Sequence, residues 1–135
     1  MEENDYQTLK KIKFECLEFA EKAFRGKSFE NISSGHLIKV SKKGLNEWFS
    51  KSKSYEQIIS IKSLDLILKN ATYSHASENT KNHEQNAPSY EYYTYPININ
   101  NTSFLAVITV RIIKEADINN YIYYHHYLDN LYIKK

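Results

Sequence analysis

Histidine is the side chain whose ordinary titration range best suits proton transfer at neutral pH, and the chain carries five: His36, His75, His83, His125 and His126. Two of them sit in Tyr121-Ile122-Tyr123-Tyr124-His125-His126-Tyr127-Leu128, a segment whose aromatic and β-branched residues suit a strand. Side chains alternate across a strand, so Ile122, Tyr124, His126 and Leu128 are expected on one face and Tyr121, Tyr123, His125 and Tyr127 on the other. Whichever set lies outward makes a tyrosine-histidine surface on a rigid element. The preceding strand brings Thr109 and Arg111 beside it, so an arginine, a tyrosine and a histidine can meet on adjacent strands. That combination suits acid-base chemistry next to a phosphate. The outward one of His125 and His126 is the acid-base candidate, and the inward one is a packing residue.

A second group of cations lies in residues 39–53, where Lys39, Lys42, Lys43, Lys51 and Lys53 face only Glu47. Lys39, Ser41 and Lys43 stand at a strand end beside Gly44, where cations and a hydroxyl suit a phosphate; an ordinary solvated face is the plainer reading. His75 and His83 read as solvent-exposed, and Glu78 and Glu84 lie in the same polar stretch and make no convincing carboxylate pair. With three glycines in the chain, no nucleotide-binding glycine fingerprint exists. Cys16 is the single cysteine, which excludes an internal disulfide and a thiolate zinc cluster and fits a reducing compartment. His125 and His126 on opposite faces cannot chelate together, so neither metal nor cofactor is expected.

The elements that must position these groups fall into two halves. Leu9, Ile12, Cys16, Phe19 and Ala23 recur at spacings of three and four and predict a first helix, closed by Arg25-Gly26-Lys27. His36 to Ser41 reads as a strand with Ile38 and Val40 inward, broken by Gly44. One or two helical turns carrying Trp48 follow, from Leu45 to Phe49. A third helix is expected from Ser54 or Tyr55 to Ala71, with Ile58, Ile61, Leu64, Ile67, Leu68 and Ala71 buried and a capping box of Ser54 and Gln57. Residues 74–88 lack any period and read as a long polar loop. Strands follow at Tyr90–Tyr95, ended by Pro96, then Phe104–Ile113, apolar on both faces and hence central, and finally Tyr121–Leu128 after a turn at Glu115–Asn120.

The expected architecture is therefore one α+β domain over 1–135. Helices occupy about 1–72 and pack on an antiparallel sheet formed over about 89–130. At 135 residues and 41% hydrophobic, the chain can bury a core without staples. No run of about 18 apolar residues exists, and the acidic start Met1-Glu2-Glu3-Asn4-Asp5 is unlike a secretory signal, so the expected location is cytoplasmic, reached directly or as part of a larger toxin or phage protein. A net charge of +2 permits a local phosphate-binding patch without announcing one.

From Gly26 onward the order and spacing of several pieces resemble a known group. These are Gly26-Lys27-Ser28-Phe29-Glu30-Asn31, Ser34 to Gly44, Leu64 to Ala71, Tyr92-Tyr93, and Val107 to Arg111 with Tyr123-Tyr124-His125-His126. Together they resemble a phage and polyvalent-protein-associated, nuclease-like domain grouped with barnase, EndoU, colicin tRNase and RelE-like enzymes. The resemblance implies helices laid on a four- or five-stranded antiparallel sheet and metal-independent RNA cleavage by 2′-hydroxyl attack on the exposed sheet face. It implies RNA, tRNA included, as substrate, and a cognate acidic immunity or antitoxin protein as partner. In this chain His126 or His125 would then be the acid-base residue, Arg111 and Lys43 the phosphate clamps, and Tyr124 and Ser41 supporting donors. A non-catalytic binding module using the tyrosine-rich sheet as a stacking platform is the alternative, and an immunity or antitoxin protein a third.

Overall fold

The computed structural model describes residues 3–77 and 89–130. Helix α1 (Glu3–Ala23) buries Cys16, Ala20 and Phe24, with Leu9, Ile12, Leu17 and Ala23 packed beside them. Phe19, expected in the stripe, falls at its margin and is 42% exposed, with the Lys62 ammonium 5.7 Å above its ring. Gly26 leaves the helix at φ +81°, the left-handed conformation that its lack of a Cβ permits.

Two short strands follow, β1 (Ser28–Glu30) and β2 (Leu37–Val40), paired antiparallel. Ile38 and Val40 point into the core, as their alternation with Lys39 requires. Ser41 then caps α2 (Lys42–Lys51), its hydroxyl oxygen accepting the Gly44 N–H at 3.2 Å. Gly44 therefore does not break the chain but sits in the first turn of the helix. A Cβ there would collide with the Tyr123 carbonyl oxygen, so glycine is what lets α2 lie directly on a strand backbone.

The expected third helix is three pieces: α3 (Tyr55–Ile59), a 3-10 turn over Ser60–Ser63, and α4 (Leu64–Asn70). All six of its expected core residues are buried. Ser60 donates its hydroxyl to the Gln57 carbonyl at 2.6 Å, a local bond that competes with the regular ladder at the break. Ser54 accepts from the Gln57 N–H at 3.1 Å as a cap should. The capping box stays half formed, because Gln57 gives its side-chain amide to the His126 carbonyl at 2.6 Å instead.

Residues 72–77, which lack a clear period, form strand β3 (Thr72–Ser77) against β4 (Ser89–Ile99), so the polar loop does not begin at Ser74. His83, Glu78 and Glu84 lie outside the described residues. Pro96 does not end β4, which continues to Ile99. β3 reaches only as far as Thr94, so at Pro96 one edge of β4 needs no N–H donor. Asn100 and Asn101, at φ 53° and 67°, make a two-residue turn into β5 (Thr102–Glu115). A second two-residue turn at Ala116-Asp117, tighter than the expected Glu115–Asn120 turn, leads into β6 (Ile118–Asn130).

The fold is α+β, with one six-stranded sheet in the order β1-β2-β6-β5-β4-β3. β5 is interior, as its two apolar faces require. All pairs are antiparallel except β2 with β6, so the helical half lends the sheet two strands and its one parallel pairing. The helices pack on the face carrying Ile38, Val40, Tyr93, Ala106, Ile108, Val110 and Tyr123. No described helix is long and apolar enough to cross a membrane.

Candidate functional site

The bulge in β6 decides which side chains of the last strand can meet. Thr109 pairs with His125 and Val110 with Tyr123, leaving Tyr124 as an extra residue. Strict alternation therefore fails there. Tyr121, Tyr123, His126 and Leu128 turn toward the helices, while Ile122, His125 and Tyr127 turn away.

His126 is the inward histidine, 1% exposed. Ser60 spends its proton on the Gln57 carbonyl, so His126 Nε2–H donates to Ser60 Oγ at 2.7 Å and Nδ1 accepts the Tyr123 hydroxyl at 2.7 Å. Burial, and secondarily the charge of His125, lower its pKa to about 3. Both ring nitrogens are thus committed within the core, and the residue packs rather than reacts.

The outward groups assemble as two neighbouring rows across the sheet. One runs Ser77, Tyr90, Arg111, Ile122, Lys39; the next runs His75, Tyr92, Thr109, His125. Tyr90 and Tyr124 rings lie 5.9 Å apart, Tyr124 and His125 5.0 Å, and His75 stacks on Tyr92 at 4.8 Å. Arg111 Nε is buried without a hydrogen-bond partner. Arg111 thus shares this face with a tyrosine and a histidine, Tyr124 and His125, which strict alternation had placed on opposite faces. Burial, then the positive charge of Lys51, push the His125 pKa down, with Glu47 opposing. Lys43 lies one and two turns before Glu47 and Lys51 on the same stripe of α2, the stripe whose charges act on His125. Ser41, by contrast, is occupied as a helix cap.

A different and tighter cluster lies on the helix-side face, where the segment between β1 and β2 crosses the sheet. Asn31, fully buried, ties that segment down: its side-chain amide donates to the carbonyls of Leu68 and Ala71, both at 2.8 Å, and its oxygen accepts the Ser34 N–H at 2.7 Å. Gly35 turns the chain at φ +77°. His36 is thereby laid flat on Tyr121, ring centroids 3.9 Å apart and planes within 8°. Its Nδ1 lies 3.0 Å from Glu91 Oε1, a carboxylate only 4% exposed. The Tyr93 hydroxyl is 2.8 Å from both Glu91 Oε1 and Ser34 Oγ; its one proton goes to the carboxylate, which cannot donate, and Ser34 gives its own. Burial drives the Tyr93 pKa upward, with the bond from Ser34 opposing and Glu91 reinforcing, so the phenol stays protonated.

With Nδ1–H held by Glu91, the His36 tautomer has its lone pair on Nε2, which no described residue bonds. His36 lines a cleft of about 630 Å³ together with Tyr121, Lys39, Ile122, Asn120 and Glu115. A carboxylate-oriented imidazole in a cleft that a lysine also lines has the make-up of an acid-base centre. Among the described residues, no three or more histidine, cysteine, aspartate or glutamate side chains gather into a metal site. Sequence reading ranked His36 below the last strand, because Glu91 lies 55 residues away and β4 alternation alone does not aim it at His36. The available signal was a lone acidic residue in the tyrosine-rich strand, Tyr90-Glu91-Tyr92-Tyr93.

Comparison with curated proteins and with solved structures gives no match. The agreement with the polyvalent-protein part of the resemblance is direct, and it extends into α1, ahead of the first motif quoted for it: residues 7–126 match the family described as large polyvalent protein-associated domain 3, and the chain belongs to that family.

Proposed function

We propose that this domain is a metal-independent endoribonuclease whose acid-base residue is His36, positioned by Glu91. The observation that carries the reading is the Glu91–His36 pair itself, a buried carboxylate at 3.0 Å from an imidazole whose other nitrogen is free at a cleft. In the proposed step, His36 Nε2 takes the proton of a ribose 2′-hydroxyl. The 2′ oxygen bonds to the adjacent phosphorus, the bond from phosphorus to the 5′ oxygen breaks, and that oxygen takes up a proton from solvent. Charge accumulating on the phosphoryl oxygens falls to the cleft's cation, Lys39. The reading moves the acid-base role from His125 and His126 to His36 and leaves Arg111 as a phosphate-binding group.

RNA, including tRNA, is the proposed substrate, and a toxin effector with a cognate acidic immunity or antitoxin protein is the biological setting that such an activity fits. The test is cleavage of total RNA in EDTA by the parent and by His36→Ala. The expected result is cleavage by the parent and a rate about a hundredfold lower or less in the variant, the usual size of a lost acid-base group. Equal rates, or a parent that cuts only when a divalent ion is restored, overturn the proposal. A parent with no cleavage under either condition supports the binding module instead.

A further inference from the structure

We infer that the sheet face turned away from the helices binds single-stranded RNA, with Arg111 as the phosphate anchor and Tyr90, Tyr92 and Tyr124 as base-stacking rings. The inference rests on the endoribonuclease reading for the choice of RNA and adds a binding surface separate from His36.

Three observations carry it. The first is the buried Nε of Arg111, which has no hydrogen-bond partner. A guanidinium carries five donors and no acceptor, and one left short of partners next to an open surface is matched by an anion rather than by a neutral group. The second is the arrangement of rings. Tyr90 stands directly opposite Arg111 in the register and reaches Tyr124, which reaches His125, while Tyr92 in the next row is stacked by His75. Rings standing on a sheet offer flat faces to bases, and only unpaired bases can turn onto them. The bulge at Tyr124 turns His125 onto this face beside the Tyr124 ring, where regular alternation would have turned it inward.

The third observation is continuity with the cleft. Lys39 and Ile122 belong to the Arg111 row and also line the cleft that His36 faces. Lys39 lies two strands from Arg111, about 10 Å by ordinary strand spacing. A backbone phosphate held at Arg111 thus continues past Lys39 toward His36. The charge on this face also selects its occupant. Arg111 and Lys39 share a middle row, whereas the register puts the acidic residues Glu30, Glu115 and Asp129 toward the margins, with Glu115 accepting from the Asn120 side-chain amide at 2.9 Å. An acidic protein surface would satisfy the cations but not the stack of rings.

The experiment is fluorescence anisotropy with a 2′-O-methyl RNA strand of about 12 nucleotides, within the span such surfaces cover. The methyl group removes the 2′ nucleophile, so binding is read without cleavage. Arg111→Gln and Tyr124→Leu are each expected to weaken binding about tenfold, and the same sequence as a duplex is expected to bind less tightly than the single strand. Lys39→Gln, at an exposed position, gives a third reading in case either of the others loses its fold by circular dichroism. Unchanged affinity across the folded variants, or a preference for duplex, overturns the inference. Binding of the strand by a parent that fails to cut ordinary RNA supports the surface and overturns the cleavage reading.

Discussion

One oxygen of Glu91 is shared by two groups that come from different parts of the chain: His36 Nδ1 lies 3.0 Å from Oε1, and the Tyr93 hydroxyl lies 2.8 Å from the same atom. The carboxylate is thus held by a neighbour on its own strand and in turn holds a histidine from the segment between β1 and β2. This makes Glu91 a positioning residue.

Glu91→Gln keeps the shape but replaces an acceptor by a side chain that can also donate, so the His36 tautomer is no longer selected. RNA cleavage is expected to fall by tenfold or more while the affinity for the 2′-O-methyl strand stays within about twofold. Tyr93→Phe leaves the carboxylate one donor short and is expected to cost about 1–3 kcal/mol of stability, measured by urea unfolding. A fall in strand affinity equal to the fall in cleavage rate would argue that Glu91 shapes the binding surface rather than the histidine.

The two adjacent histidines are expected to behave differently. His126→Ala strips partners from Ser60 and Tyr123 in the core, and the loss is expected to be at least about 2 kcal/mol. His125→Ala, on the opposite face, is expected to change stability by less than about 1 kcal/mol. Thermal and urea unfolding of both variants is the check.

His126 also predicts how stability depends on pH. Its folded pKa, about 3, lies below the ordinary 6.5, so the unfolded chain binds the proton more readily. Its contribution is therefore fully present above pH 6.5 and is lost as pH falls from there toward 3, by about 1.4 kcal/mol per unit. His125, also held below its ordinary value, adds in the same direction. Urea midpoints of the parent measured from pH 7.5 to 5 should fall, and His126→Phe should flatten that slope.

Gly44→Ala sets helix propensity against packing. Alanine favours the helix by up to about 1 kcal/mol, but its Cβ meets backbone of β6 rather than a flexible side chain. Overpacking of that kind costs about 1–3 kcal/mol, so the variant is expected to be less stable, with a lower melting temperature.

Much of this architecture was legible in the chain before any coordinates, because local periodicity is a local property. The α1 stripe, the burial of Ile38 and Val40, the six buried residues of Ile58 to Ala71, and the interior place of β5 all follow from spacing. That Arg111 would stand beside a tyrosine and a histidine of the last strand was legible as well, since the two strands are adjacent, but alternation grouped Tyr124 with His126 rather than with His125. Three matters were decided only in the tertiary structure. A single extra residue at Tyr124 chose which histidine entered the core, and nothing in the sequence around it separates a bulge from regular alternation. Gly44 reads as a strand breaker until the approach of Tyr123 is known. The Glu91–His36 pair joins positions 55 residues apart through a loop anchored by Asn31, so its geometry belongs to long-range packing and not to any motif that residues 34–36 or 90–93 spell out.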